Sequence, residues 1–344
     1  MKTKLRVPFQ TIGLYAVLSM FALSGTCLAA DDSGAGVVVA SPPAASTELA
    51  APPAPPAPPA PTRVDVESFS DLSGKSIDER RPLNADGRIS VNNVSGTVNV
   101  TAWDRNEVYV SGQIGSGVDR VDISGDASAL SIAVRMPKRA HNYAGDTDLK
   151  LYVPAMARVE LETVSADVAA EGLKGPLRVN TVSGDTRLSV KSPEVAVTSV
   201  SGDVILHAPS STTRVNSVSG DLHVSGAQGE LAAETVSGNL ELDGGKFSLL
   251  RLKSISGDMR VAVTLTDKAR VTGETLSGGI AMSLPSDLSG SAALSSFSGD
   301  AVLEGLQPTD SRDRNKKREY QWGGGDGVKI NLSSFSGDIR VQRK

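Results

Sequence analysis

The residues best placed to do chemistry are aspartates in a column. Asp167, Asp185, Asp203 and Asp221 recur every 18 residues, and Asp258, Asp300 and Asp338 continue the series at wider intervals. Carboxylates brought to strand spacing, about 4.8 Å, suggest calcium binding or, near 5 Å, a retaining glycosidase. A glycosidase needs one distinguished pair in a cleft, whereas here every copy looks alike. The Gly-Gly-x-Gly-x-Asp pattern of calcium-binding repeats is absent from the sequence. Adjacent carboxylates in water repel by only about 0.9 kcal/mol at that spacing, so a solvated column needs no metal. Asp after Gly is also ordinary turn chemistry, with the side chain bonding its own backbone. The serines beside these aspartates have no partner base, because His141, His207 and His223 match no column. With aromatics at 4 % and only Trp103 and Trp322 as tryptophans, a stacked-sugar groove has little to build on. The expectation is a non-enzyme without metal or cofactor.

What positions these residues is a repeat. The pentapeptide Thr181-Val182-Ser183-Gly184-Asp185 recurs in variants whose serines are Ser165, Ser183, Ser201, Ser219, Ser237, Ser256, Ser277, Ser298 and Ser336. An isolated copy stands at Ser95. A fixed period near 18 residues is the signature of a solenoid, in which each repeat stacks on its neighbours. Counting from the serine as zero, the apolar positions −1, +3 and +5 share a parity and are expected inward. The Thr/Ser at −2, the Ser at 0 and the Asp at +2 are expected outward. Position −4 is apolar too, which predicts a corner between −4 and −1. The fold class read from this is all-β, a parallel β-helix with coils of about 18 residues. Four buried apolar side chains per coil supply roughly 6–10 kcal/mol, and fixing 18 backbones costs roughly 18–36 kcal/mol, so coils are stable only when stacked. A Greek-key sandwich competes, but it requires neither equal coil lengths nor columns in register.

Four regions follow along the chain. Residues 1–30 read as a signal peptide, with Lys2, Lys4 and Arg6 before the apolar Ile12–Leu23 stretch. Ordinary cleavage is favoured over lipidation at Cys27, the single cysteine, because Thr26 before it is a poor fit. Removing this segment takes the formal charge from −4 to −7, which argues against a nucleic-acid partner, and no membrane span remains. Residues 31–62 form an Ala/Pro-rich disordered linker. Residues 63–160 read as an irregular N-terminal β region or cap, and the 70 residues from Ser95 to Ser165 leave room for about four irregular coils. Residues 161–344 are the regular Ser-Gly-Asp helix.

Ser298 and Ser336 lie 38 residues apart, so an excursion over 308–327 restores the period. It carries Arg312, Arg314, Lys316, Lys317, Arg318, Tyr320 and Trp322.

Trp103-Asp104-Arg105-Asn106-Glu107-Val108 after a Gly-Thr-Val-Asn-Val strand, and Leu151-Tyr152-Val153-Pro154 before the repeats, resemble motifs of the bacterial putative-adhesin family, a domain of unknown function (number four-zero-nine-seven) built of β-strand repeats. The resemblance covers roughly residues 64–344. It implies an envelope-associated or surface β-helix without established catalytic residues.

Two candidate sites result. One is a flat face of Thr181, Ser183, Asp185, Ser199, Ser201, Asp203, Ser217, Ser219 and Asp221. The other is the loop residues Arg314, Lys316, Lys317, Arg318, Tyr320 and Trp322. The expected function is an exported scaffold or adhesin, in the periplasm or at the cell surface, binding an envelope or surface ligand. A polysaccharide-binding or polysaccharide-cleaving β-helix stands as the alternative, with an ice-binding hydroxyl ladder ranked below it.

Overall fold

The computed structural model describes residues 75–136, 145–312, 317–324 and 327–344. The leader, the Ala/Pro-rich linker, Cys27, His141, Arg314 and Lys316 lie outside the described residues. Those described are all-β, with twenty-three strands joined in one hydrogen-bonded sheet system and no helix.

The pentapeptides lie rung upon rung. Strand Leu177–Ser183 pairs in parallel with Glu194–Ser201, which pairs with Thr212–Ser219, so that Thr181, Ser199 and Ser217 stand abreast. A second set of short strands, Thr186–Ser189, Val204–His207 and Leu222–Ser225, stacks in the same register. Each coil therefore contributes to two sheets that meet at the Ser-Gly-Asp corner. The architecture is β-solenoid-like.

The direction of the side chains corrects the sequence reading. In the first sheet, positions −6, −4 and −2 face the core: Leu177, Val179 and Thr181 in one coil, and Val195, Val197 and Ser199 in the next, are all buried. The hydroxyls expected outward are inside. The −1 side chains expected inward are outside: Val164 and Val182 are each 49 % exposed and Val200 is 36 % exposed. The chain bends after the serine, at the glycine, and not between −4 and −1. Gly202 adopts φ 115°, and a Cβ there would stand 2.2 Å from the Gly184 carbonyl oxygen of the rung beside it. Only glycine turns the chain this tightly with a neighbouring backbone so close. Beyond the corner, +3 and +5 face inward, as Val204 and Leu206 do.

A buried hydroxyl beside a tight turn has a use. Thr181 Oγ1 donates to the Ser183 carbonyl at 3.3 Å, and Ser217 Oγ donates to the Ser219 carbonyl at 3.3 Å. The short polar side chain thus bonds a carbonyl that the corner turns away from the sheet.

Both ends of the stack depart from chain order. At the N-terminal end, Arg88–Trp103 lies between Arg158–Glu171 on one side and the later strands Ala129–Arg135 and Thr147–Pro154 on the other. The antiparallel strands Ser76–Pro82, Glu107–Gln113 and Arg120–Gly125 complete that end. The stretch from Ser95 to Ser165 therefore holds one further row and edge strands, not four irregular coils. At the C-terminal end, Val328–Ser336 is inserted between Met259–Ser277 and Gly290–Ser298. The spatial order of serines is 277, 336, 298. The segment 308–327 is accordingly no simple excursion from one coil. It contains a hairpin of Asp310–Arg312 and Lys317–Trp322, and the second strand runs antiparallel along Gly290–Ser298.

Candidate functional site

The corner turns three components toward solvent: an apolar side chain at −1, Ser at 0 and, in seven of the nine coils, Asp at +2, with Asn239 and Gly279 in the other two. The glycine holds them in fixed relation, and parallel in-register pairing copies the arrangement from rung to rung.

The aspartates form a structural ladder. Asp167 Oδ1 accepts the Asp185 backbone N–H at 2.9 Å, Asp185 Oδ1 accepts that of Asp203 at 3.2 Å, and Asp203 Oδ1 accepts that of Asp221 at 2.9 Å. Asn239 and Asp258 extend it, and Asp338 does the same for Asp300 at the far end. One oxygen of each carboxylate is thereby committed to the next rung. The other oxygen of Asp185 takes Arg187 Nη2 at 3.0 Å, and no partner among the described residues holds the second oxygen of Asp203 or Asp221.

Of the proposed flat face, Ser183, Ser201 and Ser219 are exposed, Asp203 and Asp221 are exposed, and Asp185 is half-buried. Thr181, Ser199 and Ser217 are buried at 3 %, 1 % and 2 % exposure and do not belong to it. The line that remains is one Ser and one Asp per rung. His207 Nδ1 lies 3.1 Å from Ser225 Oγ and His223 Nδ1 lies 3.3 Å from Glu241 Oε2, both away from this line. Among the described residues no group of three or more His, Cys, Asp or Glu is placed to hold a metal ion.

The second candidate site is divided by the hairpin. Tyr320 and Trp322 are buried in the core cluster and not displayed for binding. Trp322 Nε1 donates to the Leu288 carbonyl at 2.7 Å, and Arg318 Nη1 donates to the Ala301 carbonyl at 2.8 Å. Lys317 is exposed and pairs with Glu319 at 2.8 Å. Three of these four described side chains fasten the hairpin to the end of the stack.

Sequence reasoning missed the apolar line at −1. From one end it runs Val94, Val164, Val182, Val200, Val218 and Val236, then Ile255, Leu276, Phe335 and Phe297. Exposure rises to 54 % at Leu276 and Phe335 and 69 % at Phe297, and the two phenylalanine rings stack at 4.9 Å with 7° between their planes. The signal was in the sequence: a glycine immediately after the serine in nearly every copy marks the corner there.

A family model described as Toastrack DUF4097 matches residues 82–235 and 145–342. The chain belongs to that family. Among solved structures, a "putative adhesin" from Bacteroides fragilis is 13 % identical, with 78 % of this chain and 98 % of that chain covered and a TM-score of 0.39. A "putative adhesin" from Parabacteroides distasonis is 12 % identical over 78 % and 98 % of the two chains, with a TM-score of 0.34. A "putative lipid binding protein" from the same species is 12 % identical over 78 % and 97 %, with a TM-score of 0.33. No curated protein matches this Toastrack chain.

Proposed function

We propose that this Toastrack protein is an exported, non-enzymatic scaffold of adhesin type, a parallel β-helix of roughly 18-residue coils that binds an extended envelope polysaccharide along its Ser/Asp line. The observation that carries the reading is the recurrence of an exposed Ser at successive rungs, with Asp at +2 in seven of nine, held in register by parallel pairing. An enzyme sets one site apart from the rest of its surface, whereas an array offers many equivalent weak contacts. Serine hydroxyls and the uncommitted carboxylate oxygens suit a polyhydroxylated chain laid along them, and binding gains strength from the number of rungs engaged. Export is supported by the Lys2, Lys4 and Arg6 region followed by Ile12–Leu23, and the destination is the periplasm or the cell surface.

The test combines retention on isolated envelope polysaccharide with analysis of the released sugars. Wild-type protein is expected to be retained without product, and Ser201→Arg with Ser219→Arg is expected to weaken retention at least tenfold. Sugar release would overturn the non-enzymatic reading, and unchanged retention of the double variant would overturn the Ser/Asp line.

A further inference from the structure

The apolar line at −1 is not used by the Ser/Asp reading; it adjoins the serines and lies across the glycine corner from the aspartates. Its nine regular rungs run from Val164 to Phe297, with Val236 in the middle. With exposures of 36–69 % at seven of them, and the other two half-buried, they present roughly 700 Å² to solvent. That exceeds the few hundred Å² of a typical monomer's largest apolar patch and approaches the roughly 800 Å² per partner of a standard interface. The flanking −3 residues are polar, Glu162, Glu234, Lys253 and Glu274 among them, and border the line as a rim.

We propose that two copies of this chain associate through this line, antiparallel, about a two-fold axis at Val236. Two features select a second copy as the occupant. First, a ridge repeating at strand spacing, about 4.8 Å, is matched in period by itself, so its side chains meet level by level along their whole length. Second, side-chain size is graded. Valine fills the rungs from Val164 to Val236, followed by Ile255, Leu276, Phe335 and Phe297. Antiparallel apposition sets Phe297 opposite Val164, Phe335 opposite Val182 and Leu276 opposite Val200. Large meets small at the outer levels, Val218 meets Ile255 and Val236 meets itself, so the gap varies less than in parallel apposition, which would leave a wedge with Phe against Phe at one end. An isologous contact of this kind closes at a dimer. The neighbouring aspartate ladder sets this line apart from a surface suited to anionic lipid.

The experiment uses the full chain with Cys27→Ser, so that introduced cysteines stand alone. Sedimentation equilibrium is expected to show a monomer–dimer equilibrium. Val236→Cys is expected to cross-link to itself under mild oxidation, while Val182→Cys and Phe335→Cys link to each other when mixed and neither links to itself. Leu276→Asp with Phe335→Asp is expected to weaken the dimer at least tenfold while leaving the thermal melt of the strands in place, since both side chains already face solvent. A monomer at all concentrations would overturn the proposal, as would a dimer without the Val236 cross-link. Recruitment of the monomer to vesicles of zwitterionic and anionic lipid would also overturn it and assign the line to a membrane. None of these outcomes depends on polysaccharide retention, so the two readings fail separately.

Discussion

Asp203 shows how a single side chain serves the repeat. At the corner the backbone N–H of position +2 has left the strand ladder, and an unpaired donor there is costly. The carboxylate of the preceding rung supplies the acceptor: Asp185 for Asp203, and Asp203 for Asp221. Asn239 stands in the same column and does the same work with its amide oxygen, taking the Asp258 N–H at 3.1 Å. The geometry of the oxygen therefore matters more than its charge. Asp203→Asn is expected to unfold in urea at the wild-type midpoint, and Asp203→Ala to lose about 1 kcal/mol, the usual net worth of one such bond. Equal losses in the two variants would show that charge, not the acceptor, holds the rung. Solvation of this column was readable from the sequence, but the turn bond expected of each aspartate to its own backbone is replaced by one to the next rung. That partner, a backbone N–H 18 residues away, was not readable, because spacing alone reveals no backbone direction.

At the scale of the element, register was legible and facing was not. In-register stacking follows from the period, yet each coil holds more apolar positions than one face can bury. Val179 at −4 and Val182 at −1 cannot both be inside, and the outcome depends on where the chain bends. The bend at Gly184 places Thr181 inside and Val182 outside, against the usual preference of each residue type. The corner thus overrides hydropathy at two positions in every coil. The hairpin of Arg120–Gly125 and Ala129–Arg135 is a separate case, held by its charges. Asp126 Oδ1 accepts the Ser128 hydroxyl at 2.6 Å and the backbone N–H groups of Ser128 and Ala129 at 2.8 and 3.1 Å. These bonds, led by the Ser128 hydroxyl, hold the Asp126 carboxyl below the usual aspartate range. Asp122 is lowered likewise, first by its bond to Arg120 and then by that to Arg135. A carboxylate whose folded pKa is depressed stabilises the fold above its unfolded value, about 3.9, and loses that contribution as pH falls through the lower folded value. Amide exchange in this hairpin is therefore expected to accelerate below about pH 4 before exchange in the 177–256 coils does. Uniform acceleration would mean that the two aspartates do not set its acid response.

For the whole molecule, the order of the rows is the feature that no period could give. The heptapeptide Leu-Ser-Ser-Phe-Ser-Gly-Asp occurs identically at 294–300 and 332–338, so either copy fits either row by core chemistry. The 38-residue interval suggests a coil with an excursion, whereas the chain skips a row, turns back through the hairpin and fills the gap with its last strands. Three serines at one level of the corner make this order measurable. Ser277 is paired with Ser336, and Ser336 with Ser298, so each adjacent pair stands one strand spacing apart, about 4.8 Å, within the Cα range that a disulfide bridges. Ser277 and Ser298 are two spacings apart, about 9.6 Å, beyond that range. In a Cys27→Ser background, Ser277→Cys with Ser336→Cys is expected to oxidise readily, and Ser277→Cys with Ser298→Cys to stay reduced. Deleting 328–344 empties the inserted row in both sheets, because Ile339–Arg343 sits between Ile280–Leu284 and Ala301–Leu303. Strand Gly290–Ser298 carries the same heptapeptide and is then expected to drop into the vacancy, so that the 277–298 pair oxidises in the shortened chain alone. A 277–298 disulfide in the intact protein would place the rows in chain order; it would exchange Phe297 and Phe335 in the apolar line and leave the size gradient along that line unchanged, so the row order and the two-fold contact are tested separately.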